Sequence, residues 1–308
     1  MSKNSWPRPL HDAAGPVRSD KIDGAAEGMG VWGPETRALI DDGYVPPDIM
    51  TGLTLFLLGS QPRDRNQKVP GAGGGVAGGV WVRERYTIHR PLGRDDVFTV
   101  TGESVGRHVH KGRRYGTTRC QTHNAAGELT ATNLTTGLLA YRVEEDLEDS
   151  LEGEDPDTIT SPEPDWTHAG SNRCGAKLRE LSVGQALGGY ELPVTLAMME
   201  ARDTKKPDNP IHSDPEIAKK AGLEKPIAGG SHVLAFALEP IMAFAGRDVL
   251  LYGSSFDIRW KAPVYADLVI RPHARVAAIT DDRITFEVDA ILASDAVAMV
   301  GTVTVPLP

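Results

Sequence analysis

Residues 226–245 read PIAGGSHVLAFALEPIMAFA, and this stretch decides the fold that the sequence predicts. Pro226 and the Gly229-Gly230 pair indicate a loop, and the residues that follow, up to Ala245, are apolar on nearly every side, as in a buried helix. The first N–H groups of such a helix have no partner within it, and glycine lets a ligand approach them closely. The stretch therefore predicts a central helix whose start can stabilise a carbonyl oxygen that gains negative charge.

An acid and an imidazole lie four residues apart just upstream, in DNPIH at residues 208–212. Asn209 precedes a proline and so favours extended backbone, while Asp214 and Pro215 favour a short helix that ends at Gly222. Asp208 and His212 together meet the needs of acid/base catalysis, because one group accepts a proton near neutral pH and the other donates one. The alternative is a turn in which Asp and Asn only bind backbone N–H groups.

The same order of elements occurs twice along the chain. A proline-marked loop, an apolar stretch and several β-rich segments occur first over residues 44–143 and again over residues 226–306, at an offset of about 172 residues. In the second half the helix is predicted at 231–245 and the strands near 250–260, 267–277, 282–292 and 296–306. The sequence therefore predicts an α+β fold of two units, each an antiparallel sheet around its own helix, joined edge to edge.

The boundaries of the units follow from composition. We predict an N-terminal extension over 1–30, lying on the surface or disordered, and a first unit over 31–143. The second unit is predicted over 173–308. Between them, residues 144–172 are rich in Asp, Glu and Pro, so this linker is expected to stay solvated and extended.

These motifs resemble the MaoC-like, R-specific enoyl-CoA hydratase/dehydratase family of hotdog-fold proteins. The resemblance rests on Asn-Pro-Ile-His at 209–212, Asp214-Pro215, the Pro226–Gly230 run and FDIRWKAPV at 256–264. It is clear over about residues 180–308 and weaker over about 40–143. It implies a double hotdog with one active site per chain, because the first half has no equivalent of the Asn-Pro-x-His motif. The C-terminal hotdog is then catalytic, and the N-terminal hotdog accommodates the substrate.

The resemblance also implies an activity: a hydro-lyase that interconverts 2-enoyl and 3-hydroxyacyl thioesters, most simply of CoA. His212, with Asp208, would activate water, and the N–H of Gly230 would hold the thioester oxygen. Asn209 either holds the catalytic loop through bonds to the backbone or contacts the substrate directly. Ser231 and Gly229 would contact the substrate, whereas Ser231-His232 is a poor nucleophilic pair because neighbours on a helix point in different directions.

Two positions depart from the family pattern. The family aspartate stands five residues before the histidine, where this chain has Pro207, so either Asp208 takes over that role or the role is altered. Relatives often have histidine where this chain has Gly229. In the first half, Arg113 and Arg114 belong to a basic cluster that is either a solvated strand edge or a site for the phosphates of the acyl carrier.

Composition excludes several functions. A formal net charge of -9 argues against nucleic-acid binding, and two cysteines without metal-type spacing argue against a disulfide framework or a metal site. The start of the chain has no signal peptide, and no apolar run is long enough to cross a membrane, so a cytoplasmic protein is expected. We expect no cofactor, and we expect a homodimer because apolar edge strands of hotdog sheets usually pair.

Three alternative functions stay open at this point. A dehydratase of carrier-protein-bound intermediates would share the chemistry, and an acyl thioesterase would share the fold. An inactive acyl-binding partner subunit is also compatible with Pro207 at the family's aspartate position.

Overall fold

The structure is a computed structural model that describes residues 5–61, 80–139, 143–160, 175–203 and 210–307. The helices are α1 Ser19–Met29, α2 Pro34–Asp41, α3 Leu53–Ser60, α4 Leu196–Asp203, α5 Pro215–Lys220 and α6 Gly230–Ala245. The strands are β1 Arg8–Pro9, β2 Ala13–Pro16, β3 Val80–Ile88, β4 Val97–His110, β5 Arg113–Asn124, β6 Leu129–Leu138, β7 Ser150–Gly153, β8 Ala186–Gly188, β9 Leu192–Val194, β10 Ser254–Trp260, β11 Leu268–Ile279, β12 Arg283–Leu292 and β13 Val297–Pro306.

The strands of the two halves join in one antiparallel sheet in the order β4-β5-β6-β3-β10-β13-β12-β11. The junction is the pair β3 and β10, in which Arg85 lies opposite Asp257. Asp257 is also the residue that corresponds to Arg85 at the sequence offset of 172 residues. A residue that pairs with its own counterpart lies on the approximate two-fold axis between the two halves. The edge-to-edge arrangement of the two units follows the prediction.

The second half matches its predicted elements closely. Helix α6 begins at Gly230 rather than at 231, and it packs against β8, β11 and β12. Residues 232–242 of α6 are all buried, including Glu239 and the internal Pro240. Strand β10 alternates between buried and partly exposed side chains, with Phe256 and Ile258 facing the core. Burial on one face with period two is what fixes the register of such a strand.

Two strands of the first half, β4 and β5, are long, with 14 and 12 residues. β4 and β5 extend to a two-residue hairpin turn at Lys111-Gly112, where both residues have positive φ (49° and 69°). Turns of this kind match the twist of the flanking strands. Charged and glycine residues obscure the alternation in 102–116, but β7 pairs with β4 at Gly106–Val109 and supports the strand there.

Residues 1–30 were predicted as an extension, and the described part of that segment, residues 5–30, is instead part of the fold. β1 and β2 pair with β4, and α1 packs against α4 and α6. The side chains of Ile22, Ala25 and Met29 on α1 are fully buried. Their spacing of three and four residues forms one apolar helical face, which the glycine, alanine and charge of this region obscure in the sequence.

Most side chains in the described part of the acidic linker are exposed, but the segment also contacts the sheet. The Arg85 guanidinium donates hydrogen bonds to the backbone oxygens of Pro156 and Ile159. The Ile159 side chain is buried with Val105 and Leu134, and Arg83 bonds both Asp257 and Asp157. Backbone groups that pair with a half-buried arginine hold this segment in place, which composition alone does not predict. The remainder of the linker, residues 161–172, lies outside the described residues.

No helix among the described residues is both long enough and apolar enough to cross a lipid bilayer.

Candidate active site

His212 is held in place by the backbone of the short segment around it and by a hydrogen bond of its imidazole ring. It ends a 3₁₀ turn, Pro210–His212, whose Ile211 is buried in a small apolar cluster with Ile227. The N–H groups of Ser213 and Asp214 both donate to the Pro210 oxygen, at 3.1 and 2.8 Å. The backbone is therefore fixed on both sides of the imidazole.

The hydrogen bond of His212 defines its tautomer. Its Nδ1 lies 2.7 Å from the backbone oxygen of Ile227. A carbonyl oxygen only accepts, so Nδ1 carries the hydrogen and Nε2 is left as the basic nitrogen. Burial lowers the pKa of His212, and the positive charges of Lys21 and Arg202 act in the same direction. The imidazole is therefore neutral near pH 7 and ready to accept a proton at Nε2.

Asp214 caps the helix that follows His212. Its carboxylate accepts hydrogen bonds from the N–H groups of Glu216 (2.8 Å) and Ile217 (3.1 Å). Asp214→Ala is expected to lower the free energy of unfolding by about 1 kcal/mol, because two N–H groups of α5 lose their partner. Urea unfolding would measure it, with Asp214→Asn as the control that keeps a capping oxygen. Equal stability of wild type and the alanine variant would contradict the prediction.

The start of α6 presents unpaired N–H groups beside His212. Gly229 is extended (φ -61°, ψ 145°) and its oxygen accepts the first helical bonds, from His232 and Val233. Within the described part of the chain, nothing accepts a hydrogen bond from the N–H of Gly230 or of Ser231. They are the orphan donors expected in the first turn of a helix.

Gly229 leaves open space between these groups and the imidazole. A Cβ built on Gly229 would lie 4.0 Å from His212 Nε2 and 4.0 Å from Ser231 Oγ. A basic nitrogen and a hydroxyl therefore lie beside one small space, and the two free N–H donors belong to the next two residues, Gly230 and Ser231. Such an arrangement can move a proton and stabilise a developing oxyanion within the same site.

Gly230 is in contact with Trp260 of β10. The indole Nε1–H donates to the Gly230 oxygen at 3.1 Å, and a Cβ on Gly230 would lie 2.7 Å from Trp260 Cε2. Glycine is therefore required for the helix to start this close to the ring.

Gly230→Ala is expected to lower kcat/KM by roughly 10²-fold, because the ring and the helix start have to separate and misplacement by about 1 Å has effects of that size. Steady-state kinetics would measure it. Gly52→Ala is a matched control, since nothing lies within 4 Å of its Cβ position. Full activity in the Gly230 variant would show that this close approach is unimportant.

His232 anchors the start of α6 to the N-terminal helix. Its Nε2–H donates to the Gly28 oxygen of α1 at 2.9 Å, and burial lowers its pKa well below the usual value. Its ring packs against Phe236, with centroids 4.9 Å apart. His232 is therefore a neutral structural residue, in agreement with the rejection of a Ser231-His232 nucleophilic pair.

A buried ion pair lies behind the site. Arg202 of α4 is hydrogen-bonded to Asp48, and both side chains are almost fully buried. α1 packs closely on this arginine, since a Cβ on Gly28 would lie 2.5 Å from Arg202 Cβ. Sequence reasoning missed this pair. The available signal was a lone acid between Pro47 and Ile49, in a run that otherwise reads as apolar.

The structure brings only some of the predicted site residues together. His212, Gly229, Gly230 and Ser231 converge, whereas Asp208 and Asn209 lie outside the described residues. Arg113 and Arg114 start β5, two strands from β3, and Arg114 pairs with Glu144. No recorded contact joins either arginine to His212 or Gly230 in the described ranges, so their phosphate-binding role stays a prediction. The same ranges hold no group of three or more His, Cys, Asp or Glu placed to bind a metal ion.

Comparisons with known proteins identify similar folds and a family domain in the second half of the chain. Residues 185–295 match the model of the family described as "MaoC like domain". A structure described as a MaoC-like dehydratase aligns at a TM-score of 0.71 and 18% identity, covering 98% of this chain and 99% of the other. A protein of Mycobacterium tuberculosis described as having a double hotdog fold aligns at 0.61 and 14% identity, covering 99% and 96%. The predicted double hotdog is thus confirmed.

A longer protein also contains this architecture. The peroxisomal multifunctional enzyme type 2 of Drosophila melanogaster aligns at a TM-score of 0.63 and 14% identity, over 96% of this chain and 48% of that one. A search of curated protein sequences finds no match.

Proposed function

We propose that this chain, whose residues 185–295 form a MaoC-like domain, is a hydro-lyase that interconverts a 2-enoyl thioester and a 3-hydroxyacyl thioester. The observation that supports this most directly is the shared space at Gly229. His212 Nε2 lies 4.0 Å from the Cβ position of Gly229, and α6 begins at the next residue, Gly230. The reaction needs one base for water and one oxyanion site for the thioester, and we assign these roles to His212 and to the N–H groups at the start of α6.

In the proposed reaction the thioester oxygen accepts hydrogen bonds from the N–H groups of Gly230 and Ser231. This draws electrons from the conjugated double bond and makes the β-carbon electrophilic. His212 Nε2 takes a proton from water as the water oxygen bonds to the β-carbon, and the π-electron pair moves towards the carbonyl oxygen. The resulting enolate then takes up a proton at the α-carbon, and the same residues run the dehydration in reverse.

The last step of the proposed reaction needs an acid that gives a proton to the α-carbon. Asp208 is our candidate for the second acid, with Asn209 as the residue that holds its loop; both lie outside the described residues. Without Asp208, the imidazolium of His212 returns the proton that it took from water. The two routes differ in whether one or two groups titrate in the pH profile.

We infer CoA as the simplest carrier, and a carrier protein as the alternative. The pantetheine arm is common to both, so the geometry near Gly229 serves either. Arg113 and Arg114 are the residues proposed for the carrier's phosphates. Binding of CoA itself, measured for wild type and for a variant with both arginines replaced by alanine, would test their role.

The activity is tested by following the enoyl-thioester absorbance and free thiol together, over a series of enoyl-CoAs. We expect the enoyl signal to fall to an equilibrium value without thiol release. Thiol release in step with the absorbance would instead identify a thioesterase. Binding of acyl-CoA with neither signal would identify a non-catalytic acyl-binding protein.

A further inference from the structure

The interior of the N-terminal hotdog contains a polar cluster, Glu84, Tyr86 and Asn133, which we call the Glu84 cluster. Glu84 and Tyr86 are neighbours on the same face of β3, and their exposed fractions are 0% and 1%. Asn133 of β6 donates from Nδ2 to Glu84 Oε1 at 2.8 Å and to the Met50 oxygen at 3.3 Å. Met50 precedes α3, so the cluster lies between the sheet and the helix layer.

Three polar atoms of this cluster have no partner. They are Glu84 Oε2, Asn133 Oδ1 and the Tyr86 hydroxyl, each buried and without a hydrogen bond among the described residues. Thr135 also faces the Glu84 carboxyl group and acts to lower its pKa, although its hydroxyl donates to Thr54 at 3.0 Å. Buried polar atoms are nearly always paired in native proteins, so three together on adjacent strands need an explanation.

The cluster lies on the same face of the sheet as Trp260, next to the junction between the two hotdogs. Glu84 is in register with Ile258 on β10, and Trp260 is two residues further along the same strand face. One strand spacing and a two-residue step put the Cα atoms of Glu84 and Trp260 about 8 Å apart. Trp260 in turn bonds the Gly230 oxygen. A chain that leaves the thioester at Gly230 and runs along this face of the sheet reaches the cluster after several bonds.

We propose that the Glu84 cluster binds an oxygen-bearing group, a hydroxyl or carbonyl, on the acyl chain of the substrate. This rests on the proposed function only for the direction of the chain. Asn133 Oδ1 accepts a hydrogen bond, Glu84 Oε2 in its neutral form donates one, and the Tyr86 hydroxyl does either. A hydroxyl or carbonyl oxygen satisfies these atoms, whereas a plain alkyl chain leaves all three unpaired.

The protonation state of Glu84 agrees with this role. Burial raises its pKa to about 8, so the carboxyl group is neutral and carries a donor hydrogen at pH 7. A site built to hydrogen-bond a substrate oxygen discriminates strongly against the analogue without it, because its buried polar groups are then left unpaired.

The test is binding of saturated acyl-CoA thioesters, which cannot be hydrated and so report on the cluster whether or not the chain is a hydratase. Pairs of equal length, with and without a hydroxyl or keto group along the chain, are compared by calorimetry over a series of positions beyond the β-carbon, where no member of a pair can be dehydrated. At one position we expect the oxygenated member to bind at least about tenfold more tightly. Equal affinities at every position, or no binding of any pair, would overturn the proposal.

Two variants assign the preference to the cluster. Tyr86→Phe removes only one unpaired hydroxyl and keeps the ring that stacks on Phe256 at 4.1 Å. Glu84→Met replaces the carboxyl group by an apolar side chain of similar volume. Both are expected to keep the affinity for plain chains and to lose the preference for oxygenated ones, while Tyr115→Phe, on the basic hairpin, keeps it. A preference that survives both variants would show that the oxygen is bound elsewhere.

Discussion

Replacing His212 by alanine is expected to lower kcat/KM for an enoyl thioester by roughly 10²- to 10⁴-fold, the range for loss of a general acid/base. The reason is the fixed tautomer, since Nδ1–H is committed to Ile227 and Nε2 faces the space beside Gly229. No other described imidazole is available there, because His232 donates its Nε2–H to Gly28. The measurement is the rate of loss of enoyl absorbance.

The controls separate chemistry from folding. His273 also bonds through Nδ1, to Asp289 at 2.9 Å, but it lies on the partly exposed face of β11, opposite the face that buries Ala274, so His273→Ala is expected to keep full activity. Thermal unfolding of both variants would show whether the fold is intact. If a folded His212→Ala protein kept wild-type kcat/KM, His212 would not be the base and the proposed reaction would fail.

The pH profile gives an independent readout of the same residue. Burial lowers the pKa of His212, and the base form is the active one in hydration. The acid limb of kcat/KM is therefore expected below the ordinary histidine value of about 6.5, with activity lost as the pH falls through it. An Asp208→Asn variant that loses activity as fully as His212→Ala would assign the second acid/base role to Asp208.

The C-terminal half was predictable because its local signals agree with its packing. The apolar run at 231–245 is long enough to require a helix, and prolines and glycines mark both of its ends. The loop that carries His212 follows from Pro210 and Pro215 in the same way. The sequence could not predict how close the His212 loop lies to the start of α6. That distance depends on the hydrogen bond between His212 and Ile227 and on the contact of Trp260 with Gly230.

The N-terminal half was less predictable because its polar residues are inside. In VWVRERYTI at 80–88, strict alternation puts Glu84 on the same face as Tyr86 and Ile88. The sequence therefore predicts which residues share a face of this strand. A prediction that this face is buried would place a carboxyl group in the core, and hydrophobicity alone argues against that. The apolar face of α1 was hidden in a similar way, since glycine, alanine, Asp23 and Glu27 fill the positions between Ile22 and Met29.

The pH dependence of stability is where Glu84 is expected to have its largest effect. Its pKa rises from the usual 4.5 to about 8 in the folded chain, chiefly through burial. The folded state therefore binds more protons than the unfolded state between these values, and stability falls as the pH rises from about 5 to 8. With 1.36 kcal/mol for each pKa unit, the loss is on the order of 3 kcal/mol.

The groups around Glu84 do not provide a compensating charge. Asn133 and Thr135 face it from β6, Tyr86 from β3 and Cys120 from β5, all uncharged in this pH range because burial raises the pKa of Cys120 to about 12 and that of Tyr86 well above its usual value. The nearby charge of Asp48 is already paired with Arg202. An ionised Glu84 would therefore be a buried carboxylate without a cation partner, which is strongly unfavourable.

Glu84→Gln isolates this contribution, because glutamine keeps the shape of the neutral acid and an oxygen for Asn133 but does not titrate. We expect the variant to match wild type near pH 5 and to exceed its free energy of unfolding by on the order of 3 kcal/mol at pH 8. Urea unfolding across this range would measure the difference. The lowered pKa of His212 and of His232, and the raised pKa of Glu239, affect both proteins equally and cancel in the comparison. Parallel curves for the two proteins would mean that Glu84 is ionised in the fold, and a neutral donor at Oε2 would then be ruled out.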